Sequence, residues 1–321
     1  MRIAPVAVAA VALMAATAIA VRAGIDDQAL GDKDGTARHR SAPVHRVLPT
    51  TPQSYLGIYA PQVPRSYNKV SSFTHQTGVV PRIVMYYSSW LEPFQSNFGL
   101  LAARHGAIPL IQIEPSGVSL AAIAAGVYDG YLASYAAAVR GYGNAVILSF
   151  GHEMNGNWYT WGYRRTKPAE FVAAWKHIVT FFRAAGADNV TWLWTVNIVS
   201  DLPGSARIPG PAAWWPGSPY VTWVGIDGYY GQKTWKFNSL FGPTIAMVKE
   251  LTSAPILIAE TGASQAGQPA QIADLADGVR RFGLLGFVWF DSVGNSDWRI
   301  RTPAAIGALR TAARSYPGQG S

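Results

Sequence analysis

Between Tyr55 and Ser292 the chain carries eight short apolar runs, at 55–60, 82–87, 108–113, 146–150, 190–196, 223–229, 255–260 and 286–291. They lack polar alternation, as strands covered on both faces of a parallel sheet do. Between most of them lie segments with helical periodicity or Ala-rich composition, at 92–105, 119–140, 168–185, 238–251, 269–282 and 303–314. Pro168, Pro269 and Pro303 stand where a helix begins, a position that tolerates a missing N–H. The first and fifth connections are poorly marked, and 201–220 reads as a long Pro/Gly loop. This alternation predicts an α/β fold, a (β/α)8 TIM barrel, with a doubly wound open sheet as the alternative.

The N-terminus changes the domain picture. Arg2, the Ala/Val-rich stretch 3–21 and small residues around 18–24 predict a signal peptide over 1–23, hence a secreted, extracellular protein. An uncleaved anchor on the outer face of the cell membrane is the alternative, because the apolar run approaches the roughly 20 residues that span a bilayer. Residues 24–51 lack apolar periodicity and read as a flexible linker. That leaves 52–321 for one barrel domain.

Composition narrows the chemistry. Without cysteine the chain has no disulfides, thiol nucleophile or Cys-based zinc site. The six His form no HxH or HExxH pattern, and no Gly-rich phosphate loop follows a strand, so neither metal nor cofactor is expected. The net charge of +8 is scattered rather than clustered, which argues against nucleic acid as a partner. Only 14% of residues are charged while Trp numbers 12, a balance suited to a neutral, ring-shaped ligand.

In such a barrel the site lies at the carboxyl ends of the strands. There the run Phe150-Gly151-His152-Glu153-Met154-Asn155-Gly156-Asn157-Trp158-Tyr159-Thr160-Trp161-Gly162 places a carboxylate at the end of the fourth strand, before a polar, Trp-rich loop. A second carboxylate, Glu260, ends the seventh strand. Glu153 shares strand parity with Ile147 and Ser149, and Glu260 with Ile256 and Ile258, so both are expected to point into the barrel mouth. Two such carboxylates beside indoles are the equipment for cleaving a glycosidic bond, one donating a proton and the other attacking the anomeric carbon. Glu114, a third strand-end carboxylate, would contact a sugar hydroxyl or pair with an arginine such as Arg82, and Asn197 would donate to a sugar.

At these residues the sequence resembles glycoside hydrolase family 26, whose members include endo-β-1,4-mannanases, mixed-linkage β-glucanases and β-1,3-xylanases. The run from His152 to Trp158 followed by Trp161-Gly162 is similar to that family's acid/base signature, and the order of the glutamates is similar to the wider clan of retaining (β/α)8 glycosidases. The resemblance implies that Glu153 is the acid/base and Glu260 the nucleophile of a double displacement, with carboxyl groups roughly 5 to 5.5 Å apart. It implies too that His152 orients catalytic groups and sugar, the other account being a buried histidine with a backbone partner. Tyr229 would hydrogen-bond the nucleophile, with Tyr230 adjacent as a further contact. Trp158 and Trp161 would touch sugar, and Trp289 would be a stacking platform.

One departure bears on substrate. Mannanases of the family often carry a His near the end of the third strand, where this chain has Gln112-Ile113-Glu114-Pro115. The expectation is therefore a monomeric, secreted retaining endo-β-glycosidase for β-1,4-mannan-type polysaccharides. Its rivals are a mixed-linkage or other β-glucanase and a non-catalytic carbohydrate-binding barrel.

Overall fold

The computed structural model describes residues 48–205 and 207–319; the expected signal segment and most of the linker lie outside them. Eight strands, β1 (Tyr55–Tyr59), β2 (Ile83–Ser89), β3 (Ile108–Glu114), β4 (Val146–Phe150), β5 (Val190–Asn197), β6 (Trp223–Asp227), β7 (Ile256–Thr261) and β8 (Gly286–Phe290), pair in parallel and in sequence order. β8 pairs with β1, so the barrel closes. This is the (β/α)8 barrel expected from the apolar runs. An open doubly wound sheet is excluded by the closing pair.

The helices follow the sequence less closely. α1 (Asn68–Thr77) fills the poorly marked first connection, burying only Val70, Phe73 and Thr77 of an otherwise polar segment. α2 (Ser96–Arg104) follows β2. The expected helix at 119–140 is two, α3 (Leu120–Ala124) and α4 (Asp129–Tyr142), because Gly126 between them adopts a φ of 80°. α5 (Pro168–Ala184) starts at its proline. The segment 238–251 divides into α6 (Phe237–Leu240) and α7 (Gly242–Leu251), and α8 (Gln268–Phe282) and α9 (Pro303–Ala313) complete the ring. Among the described residues the long loop 201–220 holds only single turns, Pro211–Trp214 and Ser218–Tyr220. Among the described residues no helix is long and apolar enough to cross a membrane.

Each strand buries both faces. One set of side chains, with Val84, Ile111, Leu148, Trp194 and Phe287, packs against the helices, while Tyr55, Ile83, Met85, Leu110, Ile147, Leu193, Trp223, Leu257 and Val288 fill the interior. The interior is tight. A Cβ on Gly225 would lie 2.5 Å from Thr195 Oγ1 and 3.0 Å from Ala259 Cβ, so the strands can close only with glycine there. Leu48 is buried at the barrel's foot and the Tyr55 phenol donates to the Pro49 carbonyl at 2.8 Å. The chain is thus anchored on the barrel at 48–51, which the sequence assigns to the linker.

Candidate active site

Glu260 reaches the mouth through an irregularity. Ile226 pairs with Ile258 and Asp227 with Glu260, so β7 carries one extra residue against β6. Ala259 points inward and Ile256 and Ile258 face the helices. By plain alternation Glu260 would follow those isoleucines outward, contrary to the parity expected from sequence; the bulge turns it inward. There Tyr229 donates to Oε1 and Tyr87, at the end of β2, donates to Oε2. Burial raises the Glu260 pKa while both phenols oppose that rise.

Glu153 sits three residues beyond the end of β4, in the loop rather than on the strand. It has a φ of 54°, a left-handed conformation costing about 1–3 kcal/mol for a residue with a side chain. Its N–H donates to Thr195 O at 2.9 Å and its carbonyl accepts from Gly156 N–H at 2.8 Å, which hold the turn. Tyr163 N–H closes the loop onto Met154 O at 2.8 Å and Gly156 O at 2.7 Å. On the carboxylate, Asn197 Nδ2 donates to Oε1 and Trp158 Nε1 donates to Oε2 at 2.7 Å. Asn197 is itself clamped, since Asn155 accepts from its backbone N–H and donates to its carbonyl, both at 2.9 Å.

The electrostatics separate the two glutamates. Burial, with the neighbouring charge of Glu260, pushes Glu153 up to about 8 despite its amide and indole donors. Asp227, paired in register with Glu260, is fully buried with no protein partner for either oxygen, and burial with the charges of Glu260 and Glu153 holds its pKa well above the usual carboxylate range. Burial, with Glu260 and Glu92, raises Glu114 to about 7. His152 is driven down to about 3 by burial and is neutral. Its Nε2 lies 3.1 Å from the Tyr159 hydroxyl and its Nδ1 has no partner, so the expected backbone partner is absent.

An aromatic wall surrounds Glu260. Tyr59 stacks on Phe290 at 4.5 Å, meets Tyr87 edge-on at 5.4 Å, and Trp298 lies 4.9 Å from Tyr229. Of the residues expected from sequence, Glu153, Glu260, His152, Tyr229 and Asn197 converge, with Trp158 half-buried beside them. Three do not take the expected position. Trp289 is fully buried facing the helices and donates to the Trp298 carbonyl at 2.9 Å, so it braces Trp298 rather than offering a platform. Trp161 is buried, stacked on Tyr159 at 4.3 Å and bonded to His152 O at 2.8 Å, and serves loop packing. Tyr230 points away and donates to Asp274 at 3.2 Å. Glu114 does reach the mouth, within the field of Glu260, and of its two expected contacts only Arg82 is ruled out, because Arg82 precedes β2 at the opposite end of the barrel. Tyr87, Asn155, Tyr159 and Asp227 were missed; Tyr87 shares the inward parity of Ile83 and Met85, a signal that could have found it.

Residues 127–266, which include both glutamates, match the model of glycosyl hydrolase family 26. The chain belongs to that family. This family 26 chain is 30% identical over 265 residues to Endoglucanase H of Acetivibrio thermocellus, a match covering 77% of this chain and 29% of that protein. It is 27% identical over 96 residues to mannan endo-1,4-beta-mannosidase A and B of Caldalkalibacillus mannanilyticus, covering 27% of this chain and 17% of that protein. The chain therefore spans less than a third of either relative's length. Among solved structures, the catalytic domain of the Bacillus sp. JAMB-750 GH26 endo-β-1,4-mannanase superposes with a TM-score of 0.65 at 15% identity, over 84% of this chain and 89% of that one. The fold is shared.

Proposed function

We propose that this chain is a retaining endo-β-glycosidase that hydrolyses β-1,4-mannan-type polysaccharides by double displacement. One observation carries the proposal: two buried carboxylates at one barrel mouth are given different donors, two phenols for Glu260 and an amide with an indole for Glu153. The phenols favour the anion on Glu260, whereas Glu153, raised to about 8, keeps a proton at neutral pH. Glu260 then attacks the anomeric carbon while Glu153 protonates the departing oxygen. Esterification removes the Glu260 charge, so Glu153 keeps the rise due to burial but loses the part due to Glu260, and it can take a proton from the attacking water.

Mannan is favoured as substrate by the mannosidase relative and by the family 26 motif around Glu153. A mixed-linkage or other β-glucan is the second substrate, supported by Endoglucanase H as the relative matching most of the chain and by Glu114 at the end of the third strand. Polar groups at the mouth and the aromatic wall of Tyr59, Phe290 and Trp298 would hold sugar rings by their apolar faces. Export by the 1–23 segment and action as a monomer complete the proposal.

Reducing-sugar release should be measured on glucomannan, galactomannan, barley β-glucan, xylan and carboxymethylcellulose, with Glu260→Ala as control. Release from mannans, lost in the variant, is the expected result. Release only from β-glucan would keep the mechanism and move the substrate. Silence on every polymer would sink the proposal and favour a binding barrel.

A further inference from the structure

Glu153 is held by two donors at once, and that arrangement has a protonation state built into it. The Asn197 amide donates to Oε1 and the Trp158 indole to Oε2, so each oxygen receives a donor, the pattern that suits an anion. A carboxylic acid has one oxygen carrying hydrogen, and that oxygen is a poor acceptor. When Glu153 is an acid, the donor facing that oxygen loses most of its hold. Asn197 is locked by the reciprocal Asn155 clamp and is buried, so it stays. Trp158 is half-exposed in a loop, so it can leave.

The indole's posture is built rather than incidental. Trp158 lies across Gly156, where a Cβ would come within 2.3 Å of Cζ2 and 2.4 Å of Cη2. Any side chain at 156 pushes the ring off its seat. Gly156 does not adopt a positive φ, so its lack of a side chain answers to the indole and not to backbone strain.

Resting on the assignment of Glu153 as acid/base, we propose that Trp158 is a positioning residue that follows the proton: its N–H seats on Oε2 while Glu153 is the anionic base and withdraws when Oε2 carries the proton for the leaving group. The proton thus goes to Oε2, because Oε1 is committed to Asn197. In the first step that proton passes to the glycosidic oxygen and the vacated oxygen pair receives the indole. In the second step Glu153 takes a proton from water and the indole departs again.

Groups facing Glu153 are Glu260 from β7, Asp227 and Tyr229 from β6 and its end, Glu114 from β3, and His152 and Tyr159 from its own loop. All remain in Trp158→Phe, which keeps a ring and removes only the N–H. Loss of a donor to the anion makes Glu153 a weaker acid, so the basic limb of kcat/KM on a polysaccharide moves to higher pH, by about one unit. Gly156→Ala, which displaces the indole without deleting it, should move the limb the same way and so gives an independent test if Trp158→Phe folds poorly.

The experiment is kcat/KM against pH for wild type, Trp158→Phe and Gly156→Ala, on the polymer that the wild type cleaves and on a 2,4-dinitrophenyl β-glycoside, which needs no acid. Limbs displaced upward on the polymer in both variants, with no such displacement on the aryl glycoside, support the proposal. Limbs at the wild-type pH with a raised KM would overturn it, leaving Trp158 as a sugar contact. A wild-type basic limb that is equally strong on the aryl glycoside would instead overturn the assignment of Glu153 as the acid, a failure visible before any Trp158 variant is compared.

Discussion

Replacing Tyr87 by Phe removes one phenol from Glu260 and leaves the ring that packs edge-on against Tyr59. Glu260 keeps the Tyr229 donor on its other oxygen, so the perturbation is the loss of a single hydrogen bond to an anion. A bond of that type contributes about 1.5–3 kcal/mol. It is made to the carboxylate and not to the acid, so at 1.36 kcal/mol per pH unit its loss raises the Glu260 pKa by about 1–2 units. The nucleophile must be ionised to attack, and the acidic limb of kcat/KM should therefore move upward by that amount. The assay is kcat/KM between pH 4 and pH 9 on a 2,4-dinitrophenyl β-glycoside, because a leaving group that needs no proton isolates the nucleophile from Glu153. Tyr229→Phe should show the same sign. An acidic limb that stays in place while the plateau falls would refute the reasoning, since Tyr87 would then be acting on the sugar or on packing and not on the charge of Glu260.

Other outcomes follow from the same geometry. On natural polymers kcat/KM should fall above about pH 8 as Glu153 loses its proton, with no limb contributed by His152 between pH 4 and pH 8; a limb that disappears in His152→Asn would contradict this. Glu260→Ala should abolish turnover even of activated substrates, while Glu153→Ala should spare glycosylation from an aryl glycoside with a good leaving group; equal losses in both on that substrate would reverse the roles. Asp227 is neutral when buried and its folded-state pKa is raised, so its contribution to stability is full below the unfolded pKa and declines as pH rises; Asp227→Asn should flatten the loss of Tm on going from pH 5 to pH 9, which thermal melts would read. Trp289→Phe should lower Tm with little change in KM, whereas Trp298→Ala should raise KM; the opposite pattern would return Trp289 to the role of a platform.

The barrel was legible because parallel strands covered on both faces leave continuous apolar runs, while the choice between closed barrel and open doubly wound sheet rested on their number and was decided by the β8–β1 pair. The same continuity hides which face is which. In β8 the inward Val288 and Phe290 and the outward Phe287 and Trp289 are all apolar, so no polar residue marks the parity and Trp289 was misplaced. At the end of β6 two adjacent tyrosines offer the same side chain, and it was the resemblance to the family, not polarity, that singled out Tyr229, which does reach Glu260. The extra residue of β7 has no signature at all, since Ile, Ala and Glu fit a regular strand as well as a bulged one. α1 was missed for a different reason: a helix that buries three side chains leaves too narrow an apolar stripe to read.

Four carboxyls, Glu153, Glu260, Asp227 and Glu114, meet at a mouth where burial disfavours charge on every one of them. Burial alone cannot rank Glu153, Glu260 and Asp227, because all three are sequestered; the charge of Glu260 then raises both Glu153 and Asp227. Donors rank them. Asp227 has none and is held well above the usual carboxylate range; Glu153 has an amide and an indole and is raised to about 8; Glu260 has two phenols, which oppose its rise and favour its anion. Because the three share one field, removing the charge from Glu260 by esterification must lower the pKa of Glu153. On the proposed assignment, the exchange of roles between acid and base steps follows from the placement of Tyr87, Tyr229, Asn197 and Trp158, and it requires the carboxylates only to remain close enough to repel one another.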